Sequence, residues 1–183
     1  MPVEQGPIVC FDTMMLIWGV KRQAMEADKP LVDKTGRIIE RLTEQKSRIL
    51  VPTVALSELL VNCETGERVR LSALIEENFL VPPFDICGAH CAADLQKRMI
   101  DNKSSSDEQV APGKREHVKA DCMILATAIT NGAIAIYSDD DHIASFAKMH
   151  NCADATRTIE VVNPRTLSEE KQGVLPDLEA NRE

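Results

Sequence analysis

"AIAIYSDDDHI", residues 133–143, is a run of apolar and β-branched residues that stops against three aspartates. A short, nearly unbroken apolar run bounded by a turn signal suits a strand buried on both faces, which is the setting a parallel sheet provides. The aspartates then fall just beyond the strand's carboxyl end. Like charges this close repel one another. A solvated turn accounts for them simply, and a site for a divalent cation accounts for them better, provided that other acids arrive from elsewhere in the chain.

Working outward, "PIVCF" is a buried strand beginning just after Gly6, and a helix is expected from Thr13 to about Met25, with Thr13 as its cap. "ADKP" interrupts it, and "VDKTGRIIERLTEQ" is helical again. "RILVPTVA" reads as a second strand broken near Pro52 and leading into the helix "ALSELLVN". "VRLSALIEEN" continues helically, and the prolines of "FLVPPFD" put that stretch near a strand end or a sheet edge. "GAHCAADLQKRMI" is amphipathic, residues 101–114 read as a mobile loop, and a helix from about Arg115 to Asn131 stops before Gly132. After the opening strand come the helix "DHIASFAKMH" and the strand "RTIEVVN". Strands alternating with helices predict an α/β fold whose parallel sheet is covered on both faces. The expected division is a domain over residues 1–163 and a loosely packed polar extension over 164–183.

A net charge of −8 argues against a generally basic nucleic-acid-binding surface. Nucleic acid stays within reach all the same, because cations held by carboxylates reverse the local sign. Six cysteines occur without a CxxC pair; "CGAHC" at 87–91 has zinc-type ligands but lacks the second Cys/His pair, so core thiols are expected. The start of the chain does not read as a signal peptide, and "MMLIWGV" is too short to span a membrane, so a reduced cytoplasmic setting is expected.

In an open parallel sheet, ligands bind beyond the carboxyl ends of the strands, where strand order reverses. Asp12 ends "IVCFD", and Asp139, Asp140 and Asp141 end "AIAIYS"; if those strands are neighbours, their acids meet in one crevice. Asp121 in "REHVKADCMILATAITNG" has Cys122, Ile124, Leu125, Ala128 and Ile129 around its direction at about 100° per residue, so it points along an apolar face. Glu58 in "ALSELLVN" sits in a helix apolar nearly all round. Buried carboxylates need a cation, a strong donor or a proton. Oxygen donors of this kind suit Mg²⁺ or Mn²⁺.

With those residues in view, the sequence resembles the PIN domain family, nucleases that include the VapC-type toxin ribonucleases. "FDTMMLI" is similar to the family's opening motif and places its acid on Asp12, "SELL" supplies Glu58, and "ADCMILATAI" supplies Asp121. "YSDDDHIASFA" resembles the closing motif, with Ser138 in the usual Ser/Thr place and Asp140 two residues later; Asp139 and Asp141 are the alternates to Asp140. The chain departs from the pattern at Met14, where an asparagine is frequent, and at His142, where the family has an acid. The resemblance implies a three-layer α/β/α sandwich with a mainly parallel sheet. It also implies hydrolysis of RNA phosphodiester bonds by metal-activated water, with Asp12, Glu58, Asp121 and Asp140 as catalytic and metal-binding residues, and often a homodimer. Relatives in toxin pairs bind an antitoxin. Two rivals stand beside this reading: an inactive PIN scaffold that binds RNA or a protein, and a metal-dependent phosphatase. Against one phosphatase family, Met14 stands where a second acid is wanted.

Ser138 and Thr13 are candidates to hydrogen-bond the catalytic carboxylates, with turn or capping roles as the alternative. Lys21, Arg22, Lys114, Arg115 and Lys119 are candidates for RNA phosphate contacts, with solvated helix faces as the alternative.

Overall fold

The structure is a computed structural model that describes residues 6–103 and 112–168, so most of the expected loop at 101–114 and of the extension from 164 lies outside the described residues. Within these residues four strands, β1 (Ile8–Phe11), β2 (Arg48–Leu50), β3 (Ala133–Tyr137) and β4 (Glu160–Val162), form one sheet in the order β2-β1-β3-β4. Every pairing is parallel. The expected α/β architecture with a parallel sheet is what the chain adopts. Val9, Cys10, Phe11, Ala135, Ile136 and Tyr137 are buried, which is why these segments lack the apolar–polar alternation of a half-exposed strand.

Among the described residues, seven α-helices accompany the sheet: α1 (Thr13–Gly19), α2 (Lys29–Glu44), α3 (Thr53–Val61), α4 (Thr65–Asn78), α5 (Ile86–Lys103), α6 (Pro112–Thr130) and α7 (Asp141–Ala153). α1 packs on α2, and α6 packs on α5, α7 and β3. α3 touches both α1 and α6, so it bridges the two helical groups. The chain leaves β1 towards β2 on one side and returns on the other to β3, so strand order reverses between β1 and β3. That reversal opens a crevice past their carboxyl ends.

Several boundaries differ from the sequence reading. α1 ends at Gly19 rather than near Met25: the Lys21 N–H bonds back to the Leu16 carbonyl, and Arg22 takes φ 54°, outside any right-handed helix. The cap of α1 is Asp12, not Thr13; the Asp12 carboxylate accepts the Met15 N–H at 3.0 Å. α2 starts at Lys29, with Pro30 in its first turn, where the missing N–H costs nothing. Residues 101–103 and 112–114, expected in a loop, belong to α5 and α6. "FLVPPFD" does mark a sheet edge, since Leu80 forms a parallel bridge with Leu50 on β2. Gly132 closes the turn after α6 at φ 73°, a left-handed conformation suited to glycine.

The segment after β4 does not pack loosely where it is described. Arg165 donates from Nε to Asp139 at 2.7 Å and from Nη1 to Asp28 at 2.6 Å. Its guanidinium also lies 5.2 Å from the centroid of the buried Trp18 ring. Three separate elements are tied together by this one side chain.

Candidate metal centre

β1 and β3 are neighbours, with Phe11 opposite Tyr137 in register. Asp12 therefore emerges beside the Ser138–Asp140 turn. The Ser138 hydroxyl joins the two: it bonds the Asp12 carboxylate, and its oxygen accepts the Asp140 N–H at 3.0 Å. Asp140 in turn caps α7, with Oδ1 accepting from His142 N at 2.6 Å and from Ile143 N at 3.3 Å. Each aspartate thus sits at a strand end and a helix start at once. This fixes the backbone, and both side chains line the crevice.

Asp121 comes from the middle of α6, with its side chain 14% exposed. Glu58 comes from α3 and accepts a short hydrogen bond from the Thr13 hydroxyl. Thr13 does bond a carboxylate of the site, and the partner is Glu58 across the crevice rather than Asp12. Asp12, Glu58, Asp121, Asp139, Asp140 and His142 all line a crevice of about 590 Å³, together with Met14, Val61, Ile124 and Ile143. The four acids expected from the sequence are brought to one place.

The electrostatics follow from burial. Asp12 is 4% exposed. Desolvation pushes its carboxyl from 3.8 up to about 7; the Ser138 hydroxyl and Met15 N–H bonds pull the other way, and the charges of Asp139 and Asp140 raise it further. An acid held in this state at neutral pH gains from a cation more than a solvated one does, and the surrounding oxygens are the donors hard cations prefer. The residues present therefore fit a divalent metal of the Mg²⁺ or Mn²⁺ kind.

The aspartate triplet is divided by its neighbours. Asp140, Asp121 and His142 offer donor atoms that lie within 4.8 Å of one another. Asp139 lines the same crevice but is engaged by Arg165. Asp141 is exposed in the first turn of α7, and its carbonyl accepts the Ser145 hydroxyl. Arg165 pairing also holds Asp28 below the usual carboxylate range. The sequence reading missed Arg165, since no motif marks it and its partners lie far away in the chain.

Of the candidate phosphate-binding cations, Lys21 is ruled out by its surroundings: its side chain is 9% exposed, with Nζ 3.2 Å from the Cys63 sulfur and 3.8 Å from Glu67. Arg22 is exposed and pairs with Asp33. Lys119 is exposed on α6, two residues before Asp121. The side chains of Lys114 and Arg115 lie outside the described residues.

The sequence model of the family described as "PIN domain" matches residues 9–149. The chain belongs to the PIN domain family. Among solved structures, this PIN domain is similar to VapBC2 from Rickettsia felis bound to a DNA fragment from its promoter, with a TM-score of 0.56, 12% identity, and 85% of this chain and 98% of that chain covered. It is also similar to VapBC-1 from nontypeable Haemophilus influenzae, with a TM-score of 0.55, 12% identity, and 87% and 99% covered. At such identities the likeness establishes a shared fold. No curated protein sequence matches the chain. Among the described residues, no helix is long and apolar enough to cross a membrane.

Proposed function

We propose that this PIN domain is a Mg²⁺- or Mn²⁺-dependent endoribonuclease that hydrolyses RNA phosphodiester bonds and acts as the toxin of a toxin–antitoxin pair. The observation that carries the reading is the convergence of Asp12, Glu58, Asp121 and Asp140 on one crevice at the strand-order reversal. Membership of a family whose VapC-type members are nucleases supports the chemistry. The fold likeness to VapBC proteins supports an antitoxin protein as partner.

In this reading Asp12, Asp121 and Asp140 hold the metal, and Glu58, oriented by Thr13, positions the attacking water. A bound divalent cation would neutralise phosphate charge and acidify water at the site. The chain's own part is to present the four carboxylates to one crevice, whose apolar wall includes Ile124 and Ile143, and to take up the proton released on attack at the Glu58 carboxylate. Homodimerisation, a cytoplasmic setting and the division into a nuclease unit over 1–163 with an extension over 164–183 belong to the same proposal.

The test is cleavage of end-labelled RNA by the purified full chain with Mg²⁺, with Mn²⁺ and with EDTA. Turnover that needs the metal and is lost in Asp12→Asn and in Asp140→Asn is expected. Undiminished cleavage by both variants would remove these residues from the mechanism. Binding of RNA without turnover would make the protein a scaffold.

A further inference from the structure

His142 stands where the family's closing motif carries a further acid, and although half-exposed it lines the acidic crevice. It belongs to the first turn of α7, and its backbone N–H is anchored on the Asp140 carboxylate at 2.6 Å. Its Nδ1 lies 3.6 Å from Asp121 Oδ2 and 3.8 Å from Asp140 Oδ1. Both separations are too long for hydrogen bonds. They lie inside the ceiling of ~4.2 Å for two donors sharing one ion with bonds of ~2.1 Å. Asp121 arrives from α6, whereas Asp140 caps α7 and His142 follows in its first turn, so the three donors come from two parts of the chain that are far apart in sequence. The buried Asp12 opens onto the same crevice.

Building on the metal-nuclease reading, we infer that His142 Nδ1 is a direct ligand of the catalytic metal, alongside Asp121 and Asp140, and that this nitrogen tunes the site towards borderline cations such as Mn²⁺ over Mg²⁺. The physical reason is ligand softness. Mg²⁺ favours an all-oxygen shell, whereas affinity for imidazole rises along the first-row series from Mn²⁺ onward. A neutral ring in place of a carboxylate also removes one negative charge from the socket. The bound ion then keeps more of its field for an incoming phosphate.

The test uses Mn²⁺ and Mg²⁺ alone, without RNA, on the full-length protein. Binding is measured by calorimetry, and the Mn²⁺ coordination shell is read by pulsed electron paramagnetic resonance. Wild type is expected to show nitrogen modulation from a directly bound ring. His142→Ala is expected to lose it and to bind Mn²⁺ at least ~10-fold more weakly, while Mg²⁺ affinity changes little. His142→Asp is expected to shift preference towards Mg²⁺. Because the His142 side chain is 53% exposed, both variants should fold, and circular dichroism verifies it. If Mn²⁺ binds, is lost in Asp140→Asn, and yet shows no nitrogen modulation and no dependence on His142, then the ring is only a counter-ion to the acids. The inference then falls while the metal site stands. If wild type binds neither ion, both the inference and the metal-nuclease reading fall.

Discussion

Replacing Asp12 with Asn should make the metal-free protein more stable at alkaline pH while removing its response to metal. The carboxyl of Asp12 rises from 3.8 to about 7 because burial strips its water. A folded state that holds the proton more tightly than the unfolded chain loses stability as pH climbs from the unfolded value through the folded one. At about 1.36 kcal/mol per tenfold change in proton affinity, the full penalty above pH 7 is ~4 kcal/mol. At pH 5 less than half of it has developed, so the advantage of the Asn variant should grow by ~2–3 kcal/mol between pH 5 and pH 8. The amide oxygen keeps the bond from Met15 N that caps α1, so the local fold survives. For a domain of this size the gain corresponds to roughly 5–10 °C in Tm. Thermal unfolding in EDTA across that pH range measures it. Adding Mn²⁺ at about a hundredfold excess over its Kd should then stabilise wild type by ~2.7 kcal/mol and leave the variant unmoved, which narrows the gap between them. Parallel Tm–pH curves for the two proteins in EDTA would refute the claim that Asp12 is a desolvated acid awaiting a cation.

Arg165→Ala should lower Tm and loosen the Asp139 turn, because the guanidinium bridges Asp28, Asp139 and Trp18. Asp28 is held below 3.8 by this pairing, so that contribution is present above pH 3.8 and lost as pH falls through the lowered value; the Tm difference between wild type and variant should shrink in acid. Ser138→Ala removes the donor to Asp12 and the acceptor for Asp140 N, and should cost ~1–2 kcal/mol in denaturant unfolding as well as weakening Mn²⁺ binding. Gly19→Ala should destabilise by ~1–3 kcal/mol, since an added Cβ would lie 2.7 Å from both Ile39 Cδ1 and Thr35 Cγ2 on α2; an unchanged urea midpoint would show that α1 and α2 are not packed this closely. Gly132→Ala should cost ~1 kcal/mol through its φ of 73° alone, since open space surrounds the added methyl.

Element types and the chemical character of the site are legible in the order of residues alone. Unbroken apolar runs at 8–11 and 133–137 specify strands buried on both faces, and that burial requires helices to cover the sheet. Asp12 and Asp140 could be placed at strand ends because side-chain polarity switches there within one residue. Asp121 stood out because local helical geometry alone puts it among apolar neighbours. These are short-range facts, carried by residues a few positions apart. Which distant groups meet is set by folding and not by any local run of residues. α1 stops where the Lys21 N–H closes on the Leu16 carbonyl and Arg22 turns to φ 54°, a break that the apolar pattern around it does not mark. Lys21 reads in sequence as a surface cation, and the turn between α3 and α4 puts Cys63, and α4 puts Glu67, beside it. The division of labour within the aspartate triplet came from Arg165, many residues away, which holds Asp139 and leaves Asp140 facing Asp121 and His142. Coulombic and hydrogen-bond energies depend on distance in space, and a strand-order reversal between β1 and β3 sets those distances where no local pattern records them.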